Sequence, residues 1–252
     1  MTTISSDTLK GISWLPNWET KRGSAINIWR LKIQENIRFE NLFCESLSQD
    51  ELEKASRFRK PDDRARFIYG RGLLRFLLGF FMDRRPEHVV LEMEPNKKPR
   101  LGSVHDQTLH FNVSHSGNWV LVVIANAPVG IDIEMVDNSF TYSDLLAANF
   151  SNAEAAMITQ SAMPAEVFFT FWTRKEALVK ATGAGINDDL RLLPVINGTW
   201  DSGNPIIGQE QSWQIHSFNI DGAYQASVSC PAGDAELIFH DVLPSTLYPH
   251  TV

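Results

Sequence analysis

Two short segments constrain this chain more than anything else in it. Residues 128–134 read Pro-Val-Gly-Ile-Asp-Ile-Glu, and residues 171–180 read Phe-Trp-Thr-Arg-Lys-Glu-Ala-Leu-Val-Lys. The first alternates Ile131 and Ile133 with Asp132 and Glu134, the period of a strand, so both carboxylates share one face and both isoleucines the other. The second spaces Trp172, Glu176 and Lys180 at i, i+4 and i+8, one stripe of a helix. If strand and helix meet, three carboxylates converge with two lysines, Lys175 and Lys180. A purely anionic cluster would repel a phosphorylated substrate. A divalent cation reverses the sign, because Mg²⁺ takes hard oxygen ligands and commonly shares them with substrate phosphates. The pattern points to magnesium-assisted phosphoryl chemistry.

Length and charge narrow the class. The 252 residues allow one large domain or two small ones, and a hydrophobic share of 43% is enough for a sizeable core. A net charge of −7 argues against a general nucleic-acid binder, which needs a basic surface to neutralise phosphate. Cys44 and Cys230 are too few for a disulfide framework and show no metal-type spacing, so both are expected to be reduced. The chain does not start with a basic segment followed by an apolar run, and apolar stretches such as 119–125 are too short to span a bilayer. A cytoplasmic protein without membrane or nucleic-acid partners is expected.

The spacing of apolar and turn residues predicts strands over 24–33, 109–114, 119–126 and 129–134, and short strands between 191 and 240. Helices are expected over 62–81, 142–148 and 164–182, the last opened by Pro164 and closed by Gly183, with Gly185 just beyond. Ser48 with Glu51 three residues on reads as a capping box. Repetition of strand and helix suggests two α+β halves, 1–127 and 128–252, closely packed as one functional unit.

Each chemical feature also has a plainer reading. An alternating acidic strand by itself fits a solvated edge strand. Lys175, Glu176 and Lys180 could form a surface charge cluster, and Phe171 and Trp172 suit a core. Ser114 and His115, at a strand end before Gly117, suggest a phosphate-binding loop; neighbours in sequence rarely point at each other, so a Ser–His nucleophile is the weaker idea. His105 and His110 read as structural. Lys54, Arg57, Arg59, Lys60, Arg64, Arg66, Arg71 and Arg75 form a basic run opposed within it only by Asp62 and Asp63. Such a run is either a solvated helix face or a site for a phosphorylated ligand or an acidic partner. Gly70 and Gly72 weaken that helix locally and would admit close packing or a ligand.

Taken together, the strings FNVSHSGNWV at 111–120, PVGIDIE at 128–134 and FWTRKEALVKATGAGI at 171–186 resemble the 4′-phosphopantetheinyl transferases, in particular their larger single-chain type. The resemblance covers residues 48–186. It implies an α+β fold of two pseudo-twofold-related subdomains with coenzyme A in the cleft between them. It implies transfer of the phosphopantetheine arm to a serine of an apo acyl or peptidyl carrier protein, with release of 3′,5′-ADP. Such carriers serve fatty acid, polyketide or nonribosomal peptide biosynthesis. Residue by residue, Asp132, Glu134 and Glu176 would hold Mg²⁺, or Mn²⁺. Glu176 would take the serine proton. Lys180 would meet the reacting phosphate and Lys175 the diphosphate. Ser114 and His115 would contact coenzyme A phosphates, Lys98 would lie near the adenosine, and Lys54 and Arg66 near the 3′-phosphate. Where relatives often carry a second basic residue three positions before Lys54, this chain has Glu51, so Arg59 or Arg64 is expected to complete that clamp. With both halves in one chain, a monomer suffices. Two other classes remain open: a metal-dependent phosphodiesterase using the same carboxylates on water, and a silent carrier or coenzyme A binder, against which the presence of both Glu176 and Lys180 speaks.

Overall fold

A computed structural model describes residues 2–16, 23, 25–94, 98–105, 108–183, 190–201, 211–243 and 247. In chain order the elements are β1 (Thr3–Thr8), β2 (Ile26–Lys32), α1 (Glu40–Ser46), α2 (Gln49–Ser56), α3 (Pro61–Met82), β3 (Leu91–Met93), β4 (Pro99–Leu101), β5 (His110–Ser116) and β6 (Trp119–Ala125). They continue with β7 (Gly130–Met135), α4 (Ser143–Asn149), α5 (Asn152–Gln160), α6 (Pro164–Thr182), β8 (Gly198–Asp201), β9 (Trp213–Ile220), β10 (Tyr224–Pro231) and β11 (Leu237–Asp241). The class is α+β. Ser24, Pro95 and Gly185, and residues 202–210 of the region expected to hold short strands, lie outside the described residues.

The chain forms two compact units. An N-terminal unit comprises Ser13–Asn126 with Leu237–Val252, and a C-terminal unit comprises Met1–Ile12 with Ala127–Glu236. These are not the contiguous halves 1–127 and 128–252. The reason is strand pairing: β1 lies between β8 and β9, and β11 pairs in parallel with β2.

In the N-terminal unit the sheet order is β11-β2-β6-β5. Strand β6 is buried along its whole length, as its unbroken apolar run requires. Helix α3 packs on β5 and β6, closing a core around Trp29, Phe43, Ile68, Leu73 and Leu77. It opens with Pro61 at its first turn and ends on Asp83, in the left-handed region at φ 53°. Gly72 is there for packing: a Cβ at that position would sit 2.6 Å from the Phe43 side chain on α1. Helix α2 carries the expected capping box, with Ser48 and Glu51 each satisfying the other's backbone.

In the C-terminal unit the order is β7-β10-β9-β1-β8, all antiparallel except β1 with β9. Helix α6 lies across β7, β10 and β9. Its first turn begins with Pro164, and Gly183 caps its end at φ 75°. Phe168, Phe171, Leu178, Ile158 of α5 and Ile215 of β9 fill the core beneath. Gly130 permits this contact. A Cβ there would stand 2.1 Å from the Ala177 carbonyl oxygen and 2.5 Å from the Ala181 nitrogen. Among the described residues, no helix is long and apolar enough to cross a membrane.

Candidate active site

The two segments that opened the sequence reading meet, because β7 is the strand against which α6 lies. Asp132, only 3% exposed, accepts a 2.6 Å bond from Lys180 Nζ. Glu176 is 9% exposed and close enough to both for each to act on its charge. Burial raises the Glu176 carboxyl above its ordinary pKa, Lys180 draws it back, and the Asp132 charge raises it further. Glu134 lies two positions along β7 from Asp132, on the same face, and is half-buried. Strand β7 is an edge strand as the plainer reading had it, but α6 packs against it and buries Asp132 on its carboxylate face, leaving Glu134 partly exposed.

Among the described residues, no group of three or more His, Cys, Asp or Glu side chains stands together as a preformed metal cage. The donor set nevertheless fits Mg²⁺. It offers oxygen ligands only, and this ion characteristically takes one or two carboxylates plus substrate phosphates instead of a full protein cage.

Lys175 requires a correction. It was expected to meet a diphosphate, yet its side chain is 0% exposed. Its ammonium lies 3.0 Å from Glu154 and donates to the Leu190 and Leu193 carbonyls at 2.7 and 2.8 Å. All three donors are used, so none remains for a ligand. Glu154, 1% exposed, also closes the cap of α5 with Ser151 and accepts from the Val195 nitrogen. Next to Lys175, Arg174 is equally buried. It bonds Ser217 at 2.6 Å, the Val195 and Asp7 carbonyls, Thr8 and Asn197, and so fixes β1 and the chain before β8 to α6. A buried hydroxyl relay, Thr173–Ser227–Ser217, joins the same network. The sequence reading did not single out Glu154 or this relay. The one available signal was Ser151 followed by Glu154, a second capping box.

In the N-terminal unit, Lys54, Arg66, Arg71 and His115 line one cavity of about 170 Å³, floored by Gly70 and Val113. Three of these four were expected at phosphates. Arg71 was expected only as a member of the basic run, with no individual role, and Arg59 and Arg64 are absent from the lining. Arg64 is instead paired with Glu40 at 2.5 Å, and Arg59 is exposed. Glu40, Glu51 and Glu53, outside the carboxylates counted against the basic run, pair with Arg64, with Arg71 and Arg75, and with Arg57.

Two further expectations shift. Strand β5 runs on through Ser116, so Ser114 and His115 are successive strand residues with side chains on opposite faces. His115 shares the cavity face with Val113, while Ser114 is buried on the other. That geometry rules out a Ser114–His115 nucleophile pair. Lys98 lines a neighbouring cavity with His110, the two cavities sharing Pro99. His105 accepts the Val90 N–H at 2.8 Å.

With this geometry in view, the family models agree. One described as the 4′-phosphopantetheinyl transferase superfamily matches residues 128–229. Another, 4′-phosphopantetheinyl transferase, N-terminal, matches residues 36–128. The chain is 35% identical over 183 residues to the 4′-phosphopantetheinyl transferase HetI of Nostoc sp., covering 69% of this chain and 76% of that protein. It is 32% identical to psf-1 of Bacillus pumilus, covering 72% and 78% respectively. It is 27% identical to Sfp of Bacillus subtilis, covering 62% and 67%. The chain belongs to the 4′-phosphopantetheinyl transferase superfamily.

Proposed function

We propose that this enzyme transfers the 4′-phosphopantetheine arm of coenzyme A to a serine of an apo acyl or peptidyl carrier protein, in a Mg²⁺-dependent reaction releasing 3′,5′-ADP. The observation that carries the reading is the meeting of β7 and α6, which places Asp132, Lys180 and Glu176 together. Asp132, Glu134 and Glu176 would hold the cation. When bound, it would offset diphosphate charge and stabilise the departing oxygen.

The serine oxygen forms a bond to the phosphorus that carries the pantetheine arm. The bond from that phosphorus to the bridging diphosphate oxygen breaks, and the electron pair leaves with 3′,5′-ADP. Glu176 accepts the serine proton, directly or through water. Lys180, held beside Asp132 and partly exposed, supplies positive charge to the departing diphosphate oxygen. Lys54, Arg66 and His115 take coenzyme A phosphates in their cavity, and Lys98 lies on the adenosine side.

The test is incubation of the full chain with coenzyme A, Mg²⁺ and several apo carrier proteins, read by intact mass. One carrier should gain the arm, with an equal amount of 3′,5′-ADP formed. Stoichiometric 3′,5′-ADP from coenzyme A without any carrier would replace the transferase reading by a phosphodiesterase.

A further inference from the structure

The two units repeat one topology. In each, a strand is followed by the long helix and later by a hairpin, giving the antiparallel orders β2-β6-β5 and β7-β10-β9. The leading strands also share a pattern. Strand β7 holds Ile131-Asp132-Ile133-Glu134, and β2 holds Ile26-Asn27-Ile28-Trp29. An amide thus stands in the place of one carboxylate of the reaction centre, and an indole in the place of the other. The last turn of α6 brings Lys180 to Asp132, whereas the last turn of α3 brings Phe81 against Trp29, with ring centroids 5.9 Å apart. The N-terminal copy therefore lacks the charges that a cation or a diphosphate needs, and its chemistry must be of another kind.

A cavity of about 350 Å³ occupies this place. Phe81, Leu109 and Ile124 give it apolar walls, and Asn27, Asn126 and Arg84 give it polar groups. Among the described residues its lining holds no Asp or Glu. Asn27 is 1% exposed, and its side-chain oxygen lies 3.0 Å from His240 Nε2, which fixes the amide. Arg84 is exposed and forms no ion pair among the described residues. Its charge reaches into the cavity: burial first, and Arg84 second, lower the pKa of His105 on the lining. Apolar walls with a few placed polar groups, at this volume, suit a small organic ligand. A single arginine with no opposing acid selects a single negative charge, and its planar fork matches a carboxylate. We propose that this cavity is a further ligand site, for a small carboxylic acid with a compact apolar body. The carboxylate meets Arg84, and the body packs on Phe81, Leu109 and Ile124. The site is separate from the transfer reaction and holds whether or not that reading does.

The experiment is calorimetric titration of the full chain with phenylacetate and with hexanoate, each against its uncharged match, phenylacetamide or hexanamide. At least one acid should bind saturably, and its amide about tenfold more weakly or worse, the scale of a charge-assisted hydrogen bond. Arg84→Gln should weaken binding of that acid by a similar factor. Arg84 has no ion pair to lose, so the ligand-free melting temperature of this variant should match the wild type. Methyl NMR locates the ligand. Shifts should fall on Leu109 and Ile124 and spare Val113, which belongs to the cavity of Lys54 and His115. Failure of both acids to bind, equal affinity for an acid and its amide, undiminished binding by Arg84→Gln, or shifts centred on Val113 would each overturn the assignment.

Discussion

Helices α3 and α6 are built alike and use their charges in opposite ways. Each begins with a proline, ends on a left-handed residue and lies across the sheet of its own unit. Arg174 and Lys175, in the middle of α6, are sealed in the interior and bonded to carbonyls, hydroxyls and Glu154. On α3, Arg66 and Arg71 border a cavity, and Arg71 retains an idle donor. The same residue types thus serve as interior fasteners in one helix and as cavity-lining groups in the other. What separates them is whether the surrounding backbone offers enough carbonyls to use every N–H.

The largest effect should come from the helix–strand contact on α6. Gly130→Ala places a methyl group inside the van der Waals radius of the α6 backbone, where no side-chain rotation can relieve it. It should leave the C-terminal unit unfolded or bring its melting temperature down sharply, as circular dichroism would report. The matching change on α3, Gly70→Ala, meets only ordinary contacts, the nearest being Val113 at 3.5 Å. It should be neutral or stabilising by roughly 0.5–1 kcal/mol, the usual helix-interior gain, while raising KM for coenzyme A. Equal destabilisation by the two would erase the contrast.

Next comes the buried ion pair. Lys175→Met should cost about 3–5 kcal/mol in denaturant unfolding, because Glu154 is left buried without its counter-charge. Adding Glu154→Gln should recover part of that loss. If Lys175→Met instead keeps wild-type stability and loses coenzyme A affinity, the lysine is a ligand contact after all.

Asp132→Ala should act the other way, on rate and not on fold. Lys180 is partly exposed and can turn to water, so the melting temperature should hold. Transfer should fall by a factor on the order of 10² or more. Activity within about threefold of wild type at saturating Mg²⁺ would remove Asp132 from the reaction centre.

The smallest effect is expected from Arg59→Glu with Arg64→Glu. Neither side chain lines the cavity, so KM for coenzyme A should stay put while carrier capture weakens modestly and becomes less salt-sensitive, as rim charges do. A large rise in KM for coenzyme A would return these residues to the phosphate clamp.

Much of this was legible in the sequence. Strong periodicity and helix-end chemistry located α3, α6 and β5 to β7, and the carboxylate pattern of 128–134 located Asp132. Strand β1 escaped because Thr-Ile-Ser-Ser-Asp-Thr has little apolar alternation; parallel pairing with β9 makes it a strand. Helices α1 and α5 escaped because they are short and held by tertiary packing. Lys175 was misread for a deeper reason. Its three acceptors come from α5 and the segment after α6, so its burial depends on partners that no local pattern names. Arg71 was hidden within a run of eight like charges, separable only once Glu51 was seen to hold two of them.

The exchange of terminal strands also sets the order in which the protein can be completed during synthesis. Thr3 bonds Ser212, 209 residues later. At about 5–20 residues per second, β1 waits roughly 10–40 s on the ribosome for β9 to emerge. The sheet of the N-terminal unit lacks β11 until still later, so its β2 edge stays open while most of that unit has already been made. An open edge invites strand capture by other chains. The nascent protein is thus most exposed to aggregation late in translation, and cutting the gene after codon 126 would produce two fragments, each missing a strand that the other carries.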